Sequence, residues 1–111
     1  MESKELATKI VEILDSKKGI DIELIDVAAK TTLADYFVIA SGNSTTQIKA
    51  LTDEVEDVLK NEYSIYPDHI EGRSGDRWML LDYKDVIVHI FHPEERANYN
   101  LEMLWSSKKE Q

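Results

Sequence analysis

Residues 36–47, YFVIASGNSTTQ, constrain the fold more than any other part of the chain. Residues 36–41 are apolar at nearly every position and rich in β-formers. Such a run suits a strand covered on both faces, as in the middle of a sheet. Gly42 and Asn43 interrupt it, and residues 44–47 read as a capping box. The Ser44 hydroxyl and the Gln47 side chain can each satisfy a free backbone donor of a helix start. Ile48, Leu51, Val55, Val58 and Leu59 then recur at helical spacing to about Asn61. A buried strand followed directly by a helix forms a crossover unit, so the next core strand is expected to run parallel to residues 36–41.

The remaining elements follow from periodicity and punctuation. Ser3 is placed to cap a first helix carrying Leu6, Ile10, Ile13 and Leu14, with Gly19 at its end. Residues 20–26 alternate as a half-buried strand, and residues 28–32 are polar. Residues 65–71 form a weak strand, and Pro67, lacking an amide donor, assigns it to a sheet edge. Residues 72–76 read as a flexible loop. Residues 77–82 and 85–91 are two β-rich runs with Tyr83 and Lys84 between them, a hairpin by spacing. Pro93 opens a last helix, with Glu94 and Glu95 in its first turn and Leu101, Leu104 and Trp105 as its apolar stripe. The expected fold class is α/β (α+β): a mixed β-sheet of about five strands with helices packed on it.

At 111 residues the chain is expected to be one domain spanning 1–111, with a frayed tail at 106–111. It has no cysteine, which removes thiolate nucleophiles and Cys-based zinc sites and is compatible with a reducing cytosol. Residues 1–9 do not read as a signal peptide, and no apolar run approaches the roughly 20 residues of a membrane span. A cytoplasmic location is expected. The 22 acidic and 13 basic residues give a net charge of −9, which repels nucleic-acid backbones and anionic lipid and favours approach to a basic partner.

Enzymatic readings find little support. A turn such as residues 42–44 ahead of a helix occurs in nucleotidyltransferases, whose metal-binding carboxylates lie on the strand after that helix. The one close acidic spacing here, Asp21 and Glu23, precedes the turn, and Asp82 and Asp85 flank a hairpin on opposite faces. His69, His89 and His92 could be tried as metal ligands, but His89 and His92 are an odd number apart. One surface, one semi-buried and one helix-capping histidine is the better reading. No cofactor is expected.

Alternation places Trp78, Leu80 and Asp82 on one face of their strand and Arg77, Met79, Leu81 and Tyr83 on the other. Both faces carry apolar bulk, so each must be covered either internally or by a partner. Trp, Tyr, Met and Arg are the types enriched in interface cores.

Six motifs together resemble one family: residues 35–44 (DYFVIASGNS), 71–72 (EG), 77–82 (RWMLLD), 85–91 (DVIVHIF), 95–96 (ER) and 99–105 (YNLEMLW). In order along residues 5–105 they resemble the Iojap-like ribosomal silencing factors. Asn98 departs from the pattern, since many members carry an aromatic before the tyrosine. The resemblance implies a nucleotidyltransferase-like fold without that activity. It also implies binding to one protein of the large ribosomal subunit, the fourteenth of its series, so that subunit joining is blocked and translation falls when nutrients are scarce. Little direct rRNA contact and no DNA or membrane binding are expected, and the free protein is a candidate homodimer. The residues expected to touch the partner are Trp78, Met79, Leu80 and Tyr83 as apolar contacts and Asp82, Lys84 and Asp85 for polar register. Asp35, Tyr36 and Arg73 are expected as their neighbours. The alternatives carried are a nucleotidyltransferase-like nucleotide-binding protein and a homodimeric adaptor.

Overall fold

A computed structural model describes residues 1–105, so the tail expectation for 106–111 lies outside the described residues. The elements run α1 (Ser3–Ser16), β1 (Ile20–Asp26), β2 (Tyr36–Ser41), α2 (Thr45–Tyr63), β3 (His69–Arg73), β4 (Trp78–Asp82), β5 (Val86–Phe91), α3 (Pro93–Tyr99) and α4 (Leu101–Trp105). The strands form one mixed sheet in the order β1-β2-β5-β4-β3. Only β2 and β5 pair in parallel, from Tyr36 opposite Val86 to Ser41 opposite Phe91. The mixed α+β architecture is the expected one.

The crossover takes a longer route than the spacing predicts. After α2 the chain reaches the far edge at β3 and returns through two antiparallel hairpin steps. The strand parallel to β2 is therefore β5, third after the helix. β3 is the expected edge strand, with Pro67 just ahead of it and outside its pairing.

Several helix ends differ from expectation for local reasons. Glu2, rather than Ser3, caps α1: its side chain accepts from the backbone of Glu5, and Glu5 accepts from the Glu2 N–H at 3.2 Å. The helix stops at Ser16, and Lys18 rather than Gly19 takes the left-handed conformation (φ 64°). Gly19 serves close approach instead. Its N–H donates to the Leu14 carbonyl at 2.8 Å, where a Cβ would crowd that same oxygen at 3.0 Å. Ser44 caps α2 through the Gln47 N–H at 3.1 Å, as expected, but Gln47 reaches back to the Asn43 N–H at 2.7 Å rather than to Ser44.

The single last helix expected from Pro93 onward is two helices. Asn100 is left-handed (φ 53°), a conformation Asn tolerates better than most residues, and it turns the chain between α3 and α4. The turn carries Leu101 and Trp105 onto the sheet but leaves Leu104 67% exposed, so Leu104 is not part of the apolar stripe.

The sheet has two unequal faces. The first is covered by α1 and α2: Ile10, Leu14, Ile48, Leu51, Val55 and Leu59 pack on Val38, Ala40, Leu81, Val88 and Ile90. Fully burying each such side chain contributes on the order of 1.5–3 kcal/mol. The second face is an aromatic cluster of Phe37, Trp78 and Phe91 with Ile25 and Ile39. It is closed by Val27 and Ala34 of the β1–β2 loop and by Leu101 and Trp105 of α4. That cover thins toward β4, where Leu80 and, on neighbouring β5, Ile87 remain half-buried.

Candidate partner-binding rim

Five aspartates line one end of the sheet, one for each strand. Asp26 ends β1 and Asp82 ends β4, while Asp35, Asp85 and Asp68 immediately precede β2, β5 and β3. β1 and β4 run opposite to the other three strands, so these ends and starts meet at the same rim. Across the sheet the order is Asp26, Asp35, Asp85, Asp82, Asp68. At about 4.8 Å per strand the row spans about 19 Å.

Backbone bonds fix the row. The Asp35 N–H donates to the Asp85 carbonyl at 2.8 Å, and the Asp68 N–H donates to the Asp82 carbonyl at 2.6 Å. The β4–β5 hairpin closes with the Tyr83 N–H on the Val86 carbonyl at 2.9 Å. Its turn pivots on Lys84 (φ 73°), whose N–H is held by Asp82 Oδ1 at 2.8 Å. The Asp85 N–H returns to the Tyr83 carbonyl at 2.9 Å, a γ-turn that needs no glycine but is strained. This side-chain clamp accounts for a tight hairpin whose sequence lacks the favoured Gly.

Among the described residues two nitrogen-bearing side chains stand near these carboxylates at long range. Lys84 Nζ lies 4.0 Å from Asp68, and His69 Nδ1 lies 3.6 Å from Asp82 Oδ2. Next to the row stand two exposed apolar side chains, Leu33 at 75% and Tyr66 at 64%. The arrangement can receive cationic groups flanked by apolar ones.

The residues expected at a partner surface divide between rim and interior, except Arg73, which ends β3 at the opposite end of the sheet and is not a neighbour of the hairpin turn. Asp35, Asp82, Lys84 and Asp85 are brought together on the rim, with Tyr36 half-buried behind them. Leu80 is half-buried on the open part of the second face. Tyr83 points into the first-face core, 6% exposed, and Met79 packs against that core. Burial pushes the Tyr83 hydroxyl well above its usual range, with Glu56 adding to the shift, and the hydroxyl has no hydrogen-bond partner among the described residues.

Trp78 is 7% exposed and covered from within. Its ring packs 4.8 Å from that of Phe91 and 4.5 Å from that of Tyr99. The Arg73 guanidinium lies 4.9 Å over it, and its indole N–H donates to His89 Nδ1 at 3.2 Å. Arg73 also bonds Glu71 at 2.6 Å and holds that carboxyl below its ordinary range.

The three histidines do not meet. His69 is on the rim, His89 is buried, and His92 caps α3 by accepting from the Glu94 N–H at 3.2 Å. The described residues do group Asp68, His69 and Asp82, with one ligand atom each within 4.8 Å of one another. Two of the three are exposed, and the group lies within the row. Asp26, Leu33, Tyr66, Asp68 and His69 were not expected at the site. Nothing local marks them, because their proximity depends on strand order.

Comparison with known proteins agrees with the motifs. The family model described as ribosomal silencing factor during starvation matches residues 1–111. The chain is 41% identical over 102 residues to a ribosomal silencing factor of Zymomonas mobilis, covering 91% of this chain and 76% of that one. It is 39% identical over 105 residues to the corresponding factor of Bacillus subtilis, covering 95% and 88%. A crystal structure of a Chromobacterium violaceum protein superposes with a TM-score of 0.89 at 36% identity, covering 95% of this chain and 87% of that one.

Proposed function

The chain belongs to the family of ribosomal silencing factors, and from that premise we propose that it binds one protein of the large ribosomal subunit and thereby blocks subunit joining. The fourteenth protein of that subunit's series is the partner the family resemblance implies. The observation that carries the reading is the row of five aspartates beside the open part of the second face.

Steric blocking needs occupancy rather than turnover, so this reading assigns no catalytic residue. A contact of roughly 800 Å² per partner suffices. The rim offers anionic groups for the lysines and arginines of a basic ribosomal protein, and Leu33, Tyr66 and Leu80 offer apolar contact. The net charge of −9 steers the approach and disfavours bare rRNA. The site of action would be the cytoplasm, and self-association of the free protein would compete for the same surface. Among the described residues no helix is long and apolar enough to cross a membrane.

The test is a gradient of separated large and small subunits with and without the purified protein. The expected result is fewer joined ribosomes and protein co-migrating with the large subunit. An unchanged joined peak at saturating protein ends the reading.

A further inference from the structure

His89 is the one buried histidine among the described residues, and it lies in the central strand directly opposite Leu80. Its ring is wedged between Phe37, edge-on with centroids 5.0 Å apart, and Trp78. Nδ1 accepts the indole N–H, so in the neutral ring the proton is on Nε2. Nε2 is buried without a hydrogen-bond partner. An apolar residue here would leave the buried Trp78 indole N–H unpaired, so the imidazole is explained by what it does for Trp78 rather than by packing alone.

The imidazole supplies an acceptor for the one side-chain hydrogen-bond donor that Trp78 carries. The Phe91 ring stacks on the indole and the Tyr99 ring packs against it at a tilt of 47°, contacts that leave the indole free to shift in its own plane. The bond to His89 fixes that remaining freedom. Trp78 also meets α3 through Tyr99 and the end of β3 through Arg73. β4 itself is held by its ladders to β3 and β5, so fixing the indole sets the side-chain packing of this face, on which Leu80 is the next β4 residue.

We propose that His89 is a positioning residue for partner binding: by holding the Trp78 indole N–H it sets the packing of the second face around Leu80, its cross-strand neighbour, and so the contact surface beside the rim. The inference rests on the proposed reading of the rim. On this account Trp78 acts from beneath the surface.

The test uses the full chain, isolated large ribosomal subunits as the probe, and four variants: His89→Gln, His89→Leu, Trp78→Phe and the double variant His89→Leu with Trp78→Phe. Binding affinity is measured beside the indole ¹⁵N–¹H NMR signals of the free protein. His89→Leu and Trp78→Phe are each expected to weaken binding by about tenfold, with the double variant no worse than either alone. His89→Gln, whose amide oxygen can accept, is expected to stay within about threefold of the parent and to keep the Trp78 indole signal near its place. Additive losses, or a His89→Leu variant that binds normally while its indole signal moves, overturn the inference and leave the rim reading standing. If His89→Leu does not fold, a Trp78→Phe variant that binds as tightly as the parent overturns it equally. A parent chain that does not bind the large subunit overturns both.

Discussion

The indole N–H of Trp78 donates to Nδ1 of His89 at 3.2 Å, inside the aromatic face of the sheet. That bond requires a neutral imidazole. Burial, with the Arg73 charge adding to it, lowers the His89 pKa to about 4. The shift belongs with a cluster of rings, Phe37, Trp78 and Phe91, that surrounds the histidine.

Acid should therefore unfold the protein earlier than its carboxylates alone require. An unfolded histidine takes up its proton near pH 6.5, while folded His89 resists until about 4. The unfolded state binds the extra proton in that window, so the contribution is fully present above 6.5 and is lost as pH falls toward 4. At about 1.4 kcal/mol per pH unit the loss approaches 3 kcal/mol. Urea titrations at pH 7 and pH 4.5 should show it. His89→Leu should flatten the difference, and an equal slope in both proteins would exclude this source.

Tyr83→Phe should cost nothing or stabilise by about 1 kcal/mol, because it removes a buried hydroxyl that has no partner. Tyr83→Ala should cost about 3–5 kcal/mol, since the ring fills the core beneath α2. Thermal unfolding of the pair separates the two effects. A Phe variant that loses more than about 1 kcal/mol would mean that the hydroxyl is paired.

The hold of α3 and α4 on the sheet should depend on Arg96. Arg96 is 9% exposed, and its guanidinium donates to Ser41 Oγ at 2.9 Å and pairs with Glu102 at 2.8 Å. Arg96→Met leaves the half-buried Glu102 carboxylate without its cation and should cost about 3 kcal/mol. Glu102→Gln should cost less. Hydrogen exchange localises the effect: amides of α4 should lose protection before those of β5. Uniform loss across the sheet would contradict a local role.

Asp68→Asn with Asp85→Asn should slow association with the large subunit and flatten its salt dependence. Both side chains are exposed and lie outside the paired strands. Fold stability should change by less than about 0.5 kcal/mol. Stopped-flow binding at two salt concentrations is the measurement, and an unchanged association rate would remove these two aspartates from the contact.

Much of the fold was legible because its signals are local. The two-sided apolar run of β2, the Ser44 cap and the Pro93 start each act within a few residues. So does the alternation that separates Trp78 and Leu80 from Met79 and Leu81. The break at Asn100 was missed because the apolar spacing continues across it. What turns the chain there is a single left-handed residue and the tie from Arg96 to Glu102. Tyr83 and Trp78 have the composition of contact residues, yet their burial depends on α2 and α3, elements distant in sequence.

The sequence by itself determined the element types, the face each β4 residue takes, the edge position of β3 and, through its motifs, the family. Those follow from backbone periodicity, capping and the absence of an amide on proline, all properties of neighbouring residues. Only the tertiary structure decided that five aspartates far apart in the chain form one rim, and that Trp78 lies beneath the surface against His89. Strand order and the closure of α3 and α4 over the second face are set by long-range packing, in which each contact depends on all the others being formed.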